Sequence, residues 1–331
     1  MRNLNTTTTP TKSLRKNRTS DAVSVKNGAN CALTYSDEYY TKYVIVDLLI
    51  DIITEVNPDA FRGKTVYCNC DTRESNIVKC FRNRFGELGM KKLIATGMSG
   101  SNSEWRGAKY EYDGKEEKVT ALDWSGAFNS YECRAILDGC DIVFTNPPFS
   151  QITEYVETVV RSGKRFVCFM SNINVTYEKI FRMWRDGVFN IILNQHATEV
   201  FYKDRIPDRM DRRNMFFNPA GRDPENCRVN AIVVSNIPGS EQLEKRLVKT
   251  VKLVKYDSEK YRAFDNIDAI NVDSIYDIPD TDKTLGVPVS IMCNFCCDRG
   301  QFEIIDVTCD CWVDGKLKFK RILVKLKKYV K

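Results

Sequence analysis

One histidine, His196, stands among 331 residues. That scarcity excludes a multi-histidine metal site and leaves a single partner for any Ser-His or Cys-His pair. Long apolar runs are missing too. The longest, Val44–Ile53, is interrupted by Asp47 and Asp51, whereas a membrane-crossing helix needs about 20 apolar residues. The first residues hold Thr6–Thr9, Lys12, Arg15, Lys16 and Arg18 and no apolar stretch, which argues against a secretory signal. The 13 cysteines are odd in number and irregularly spaced, so no disulfide-stapled scaffold is indicated. Cys68, Cys70, Cys140 and Cys168 lie in apolar stretches, where a free thiol packs as a small hydrophobe. A reducing, cytoplasmic setting is expected.

What is present is charge, unevenly placed. The net charge is +6. Residues 1–30 carry +5, and residues 316–331 carry eight Lys or Arg and no acid, which leaves −7 for the body between them. Two basic ends fit an anionic polymer such as nucleic acid better than a small neutral substrate. A solvated basic arm and strand face would look the same.

Residues 1–32 are rich in Thr, Ser, Asn and Lys and are expected to be a disordered basic arm. Ser36-Asp37-Glu38 reads as a helix cap, with Tyr40, Tyr43, Val44, Asp47, Leu48 and Ile52 at helical spacing up to Asn57-Pro58. Apolar strands and amphipathic helices then alternate. Strands are predicted at 65–70, 92–97, 141–145, 165–170, 188–193 and 230–235. Helices are predicted at 73–88, 129–137, 151–161 and 177–184. Residues 99–120 read as loops and short strands. Nearly wholly apolar strands separated by helices predict an α/β fold with a doubly wound, mostly parallel sheet covered on both faces. Residues 33–239 would form that domain, with a mobile loop at 203–228. Residues 240–331 lose the alternation and are expected to form a smaller appended region.

Asn146-Pro147-Pro148-Phe149 follows the strand DIVFT. In an open α/β sheet, sites lie beyond the carboxyl ends of the strands. An Asp/Asn/Ser-Pro-Pro-aromatic run arises by chance about once per hundred chains of this length. A rigid turn is the plain reading. The chemical reading starts from an exocyclic nucleobase amine, whose lone pair is delocalised into the ring. Two acceptors aimed at its two N–H bonds would favour a pyramidal nitrogen able to attack. The Asn146 side-chain oxygen and the Pro147 carbonyl are those acceptors, and successive prolines hold the second one still. Phe149 offers a face on which a base rotated out of a duplex stacks. No metal is needed, and a sulfonium would serve as the methyl donor.

Here the sequence resembles the EcoRI-type adenine-specific DNA methyltransferases. The resemblance rests on SDEYYT (36–41), VYCNCD (66–71), DIVFTNPPFS (141–150), SNINVTYEKIF (171–181), LGVPVSIM (285–292) and QFEI (301–304), in matching order over roughly residues 35–305. It implies a Rossmann-like methyltransferase fold, S-adenosylmethionine as donor and adenine in double-stranded DNA as acceptor. Asn146, Pro147, Pro148 and Phe149 match its catalytic motif. Tyr39, Tyr40 and Thr41 match the segment lining the donor's methionine end. Asn69 and Asp71 follow the first strand, where the family binds cofactor. CNCDTRES lacks the glycine-rich turn of the wider methyltransferase pattern, a departure the EcoRI type shares. Asp123 is the candidate to accept from the donor's adenine amine, and a surface acid is the other reading. The ribose-binding residue stays unassigned, since Ala95-Thr96-Gly97 holds no acid.

Candidates for DNA contact are Asn172 and Asn174, His196, Arg212 and Arg213, and Lys318 and Lys320. For each a plainer role stands beside it: turn formation for the asparagines, a loop residue for His196, ion pairs with Asp204, Asp208 and Asp211 for the arginines, edge protection for the lysines. In the terminal KLKFKRILVKLKKYVK, alternation predicts Leu317 and Phe319 facing inward and Lys316, Lys318 and Lys320 outward. Cys293-x-x-Cys296-Cys297 and Cys309-x-Cys311 suggest zinc, but the second pair is spaced by one residue with no histidine nearby. Free thiols around a small β region are expected, without a metal. The combined expectation is an adenine-specific DNA methyltransferase whose residues 240–331 recognise the target. An RNA or protein-amide methyltransferase, and a non-catalytic nucleic-acid-binding protein of the same fold, remain the alternatives. A partner restriction nuclease is left open.

Overall fold

The fold is taken from a computed structural model, which describes residues 40–98, 106–194, 217–218, 231–294, 299–308 and 310–330. The chain enters at β1 (Tyr40–Thr41) and continues into α1 (Tyr43–Val56). The expected helix start at Ser36 is therefore corrected at its described end: Tyr40 and Thr41 are extended and pair antiparallel with Asn218 and Phe217. β1's partner is β9 (Phe217–Asn218), inside the stretch expected to be a mobile loop. The rest of that loop lies outside the described residues.

α1 explains its own sequence. Its apolar residues, Ile45 to Ile53, are buried, and the two acids that interrupt them meet one cation. The Arg84 guanidinium lies 3.0 Å from Asp47 and 2.8 Å from Asp51. That fastens α1 to the end of α2 (Asn76–Asn83), which follows β2 (Thr65–Cys68). Ser75 caps α2 by accepting from the Val78 N–H at 3.2 Å, so the helix starts three residues later than periodicity suggests.

The chain then runs through β3 (Lys92–Met98), β4 (Gly107–Tyr112), β5 (Glu117–Ala121), α3 (Tyr131–Asp138), β6 (Ile142–Thr145), α4 (Ile152–Arg161), β7 (Arg165–Ser171), α5 (Glu178–Arg185), β8 (Asn190–Asn194) and β10 (Ala231–Ser235). Eight strands make one sheet in the order β5-β4-β3-β2-β6-β7-β10-β8. Pairing is parallel from β3 through β2 and β6 to β7 and antiparallel at the other four contacts. The sheet is thus mixed. Six strands share one direction, because β4 and β10 are each inserted, reversed, between strands that run alike. Strands β2, β6 and β10 are buried at every residue. Side chains alternate between faces, so burial of every residue requires cover on both. α1 touches α2 and α6 (Ser240–Leu247), while α4 touches α5.

Beyond α6 come β11 (Leu253–Lys255), β12 (Ile270–Asn271), β13 (Ile278–Asp280), β14 (Leu285–Pro288), α7 (Ser290–Asn294), β15 (Phe302–Thr308), β16 (Cys311–Val313), β17 (Lys316–Lys318) and β18 (Arg321–Leu326). β12, β14, β18 and β15 form a second sheet. One core cluster runs from Ile45 to Leu326, and residues 35–331 form one compact unit. The join is polar as well: Arg185 donates to the Ile305 carbonyl at 3.0 Å, and Arg299 donates to the Trp184 carbonyl at 2.6 Å.

The terminal strand reverses an expectation. Leu317 and Phe319 are 58% and 60% exposed, while Lys318 and Lys320 are partly buried. Lys318 turns back to Asp273 at 3.3 Å. Alternation is present, but at 317–320 the inward register belongs to the lysines, while Lys316 is exposed as expected. Cys296, Cys297 and Cys309 lie outside the described residues, and Cys311 is a buried free thiol. No helix among the described residues is long and apolar enough to cross a membrane.

Phe81 is fully buried, with its ring edge-on to Phe61 and Phe144 at 5.3 and 4.9 Å between centroids. Phe81→Ala is expected to lower the unfolding free energy by about 3–5 kcal/mol, read from urea denaturation.

Candidate active site

The chain passes from β2 outward to β3 and later returns to β2's other side with β6. Strand order therefore reverses between β2 and β6, and the space beyond the carboxyl ends of strands at such a reversal is the usual place for ligands in open α/β sheets. Asn69 and Asp71 follow β2, and Asn146–Phe149 follow β6. The sequence candidates from two distant segments thus meet at one edge.

The contact between them is direct. The Thr145 hydroxyl donates to Asp71 Oδ2 at 2.7 Å. The Asn146 backbone N–H and the Ser75 hydroxyl also donate to that carboxylate. Asp71 is buried, and loss of water pushes its acid up to about 6, against the three hydrogen bonds, which hold it down. Asn69, 2% exposed, accepts from the Tyr155 hydroxyl of α4 at 2.6 Å. Both residues expected to hold cofactor therefore also brace the corner that follows β6.

At the corner itself Pro147 is buried and Asn146, Pro148 and Phe149 are half-buried. The Pro148 carbonyl accepts from the Gln151 N–H at 3.1 Å and closes the turn. Phe149 packs partly against the main core. The Asn146 side-chain oxygen is shielded from water, and an acceptor so shielded is a stronger electrostatic partner for a donor that reaches it.

Close backbone contacts extend the edge past β3. A Cβ on Gly97 would lie 2.8 Å from the Thr72 side chain, and one on Gly126 would lie 2.9 Å from the Gly97 carbonyl. The loop after β5 therefore crosses the end of β3, and it carries Asp123. The Asp123 side chain is exposed, and its N–H and that of Trp124 both donate to Glu132 at 3.0 Å. Thr41 is buried, its carbonyl accepts from Asn76 at 2.8 Å, and its hydroxyl has no hydrogen-bond partner among the described residues. Tyr40 contributes a strand residue, and Tyr39 lies outside the described residues.

The family model for adenine-specific methyltransferase EcoRI matches residues 29–329. The chain belongs to this family. Among curated proteins, the type II methyltransferase M.EcoRI of Escherichia coli is 31% identical over 89% of this chain and 95% of its own length. The type II methyltransferase M.MpnI of Mycoplasma pneumoniae is 30% identical over 82% of each chain. M.MgeORF184P of Mycoplasma genitalium is 30% identical over 74% of this chain and 76% of its own. No solved structure matches. The protein is an adenine-specific DNA methyltransferase.

The DNA-facing candidates of this EcoRI-family methyltransferase divide. Asn174 is buried, and its side chain accepts from the Ser171 N–H at 2.9 Å, which makes it the clasp of the turn after β7. Asn172 is half-buried in the same turn. The Lys320 ammonium sits 5.5 Å from the centre of the Tyr177 ring, so the terminal basic strand reaches the loop after β7. Lys318 is held by Asp273. His196, Arg212 and Arg213 lie outside the described residues. Sequence alone missed Ser75, Thr145 and Tyr155. Thr145, the last residue before the motif, was the most readable, since a hydroxyl at a buried strand end needs a partner.

All three partners of Asp71 are donors, so the ionised carboxylate is the form that fits. Methyl transfer is expected to rise as pH climbs through about 6, a limb that Asp71→Asn should lack. That variant should lose about 100-fold in kcat, measured by single-turnover kinetics at saturating methyl donor. Because the folded state holds this proton where the unfolded chain has released it, Asp71's contribution to stability falls as pH rises from about 4 to about 6.

Proposed function

We propose that the crevice binds S-adenosylmethionine and an adenine rotated out of duplex DNA, and that the corner Asn146–Phe149 prepares the adenine's exocyclic amine to accept the methyl group. The observation that carries this reading is the placement of that corner at the reversal of strand order, tied through Asp71 to the end of β2. The reversed β10 between β7 and β8 and the cover on both faces support a doubly wound, Rossmann-like reading of the sheet.

The residues present fit the donor. Thr41 offers a buried hydroxyl without a hydrogen-bond partner among the described residues, Asn69 and Asp71 follow β2, and the loop bearing Asp123 crosses the end of β3. Bound S-adenosylmethionine supplies a methyl carbon on a sulfonium, an electrophile fit for direct transfer.

The chain's own residues do the rest. Phe149 stacks on the withdrawn base. The Asn146 oxygen and the Pro147 carbonyl accept the two amine N–H bonds, which localises the nitrogen lone pair and stabilises the positive charge that grows on nitrogen as it attacks. Asp71 holds Asn146 by its backbone, so the acceptors do not reorganise during transfer. Residues 240–331 serve as the target-recognition region. Asn172 and Lys320 stand nearest the DNA, with Lys318, His196, Arg212 and Arg213 as further contacts and the basic residues of 1–32 as an arm along phosphates.

Incubation with labelled donor and DNA, RNA or protein tests the reading. Label is expected in adenine of DNA. Asn146→Ala should lower kcat by about 100- to 1,000-fold yet keep DNA affinity in a gel-shift assay. Label in protein or RNA alone would contradict the assignment.

A further inference from the structure

The β16–β17 hairpin displays apolar side chains to solvent on a rigid support. Its two-residue turn places Asp314 and Gly315 at φ 50° and 69°, the left-handed pair that matches the twist of the strands. Trp312 lies directly opposite Leu317. Cys311 and Val313 face the other way and are buried with Phe264 and Ala269 in a small core of their own. The outward face, continued by Phe319, therefore holds Trp312, Leu317 and Phe319, which are 40%, 58% and 60% exposed. These exposures do not come from a loose loop. The Asp265 carboxylate accepts from the Asp314 and Gly315 N–H groups at 3.2 and 2.8 Å, and the Asp265 N–H donates to the Trp312 carbonyl at 2.8 Å. Asn266 accepts from the Trp312 N–H at 3.1 Å and donates to the Asp310 carbonyl at 2.6 Å.

Charge identifies the occupant. The segment from Lys316 to the end has eight basic residues and no acid. Asp273 and Asp280 meet Lys318 and Lys328, and Lys320 lies over Tyr177 beside the loop that follows β7, on the edge that carries the catalytic corner. An apolar prong set in lysines and continuous with that edge matches a polyanion with an apolar interior. Duplex DNA has phosphates outside and stacked bases within, and apolar side chains enter between its base steps when it is bent or opened.

We propose that this hairpin is a DNA wedge: Leu317 and Phe319, backed by Trp312, enter the duplex and hold it unstacked beside the adenine being withdrawn, while the flanking lysines follow the phosphates. The proposal rests on the DNA-methyltransferase reading and adds to it a surface that works on the duplex and not on the base.

The test uses the full-length protein, the Leu317→Ser/Phe319→Ser double variant, and a duplex carrying the sequence found by mapping modified adenines in cellular DNA. A second duplex sets the target adenine opposite an abasic site, which removes most of the work of unstacking. On the paired duplex the double variant should lose about tenfold or more in kcat/KM, and on the abasic duplex it should stay within about threefold of the parent. Tryptophan emission should fall when the parent binds DNA, and that fall should be lost in Trp312→Phe. Equal losses on both duplexes, or no loss on either, overturn the wedge. So does a parent that sediments as a dimer and a variant that sediments as a monomer, since a second copy would then cover the face. A parent that methylates neither duplex overturns the underlying reading instead, and donor binding by the variant shows that it is folded.

Discussion

The Asp71 carboxylate sits where two strand ends meet, and the Thr145 hydroxyl, the Asn146 N–H and the Ser75 hydroxyl all point at it. Ser75 belongs to the cap of α2, Thr145 closes β6, and Asn146 opens the proline corner. One buried group thus ties the loop after β2, the start of α2 and the corner after β6 together. Burying a charge is unfavourable, which is why the acid is pushed up. What the burial secures is geometry, and the proposed role of the corner demands it, because acceptors for an amine must already be in place when charge develops there. Gly97 lets the loop after β2 approach within contact distance, so the carboxylate and the backbone that carries it are positioned together.

The C-terminal region follows from the same demand. An enzyme that withdraws a base must hold the duplex in a fixed relation to the crevice. Residues 240–331 share the main core with the sheet, and Glu244 of α6 accepts from the Trp184 indole and the Ile191 N–H at 2.9 Å each. With Arg185 and Arg299 bonded across the join, the basic terminal strand and the corner keep their spacing.

Much of this was legible in the sequence, and the misses have physical causes. Strands β2, β6, β7 and β10 announce themselves because residues on both of their faces are apolar, and only burial on both faces permits that. The proline motif was readable because its chemistry is local. β4 and β5 read only as an excursion, since most of their residues are partly exposed and such strands have weak patterns. Periodicity showed that Leu317 and Phe319 alternate with lysines, but it does not state which side is inside. Here the small core behind Cys311 and Val313 decides it. The Thr145–Asp71 bond joins residues 74 positions apart, and no local pattern announces such a pair. The helix expected from Ser36 gave way at Tyr40–Thr41 because a tertiary strand pairing overrode a helical spacing.

The most direct measurement is a crystal structure of the protein with a duplex carrying its target sequence and a non-reactive analogue of S-adenosylmethionine. The account predicts the adenine outside the helix, stacked on Phe149, with its exocyclic nitrogen about 3 Å from both the Asn146 side-chain oxygen and the Pro147 carbonyl. An adenine still stacked in the duplex, or an amine turned away from that corner while the analogue occupies the crevice, would contradict it.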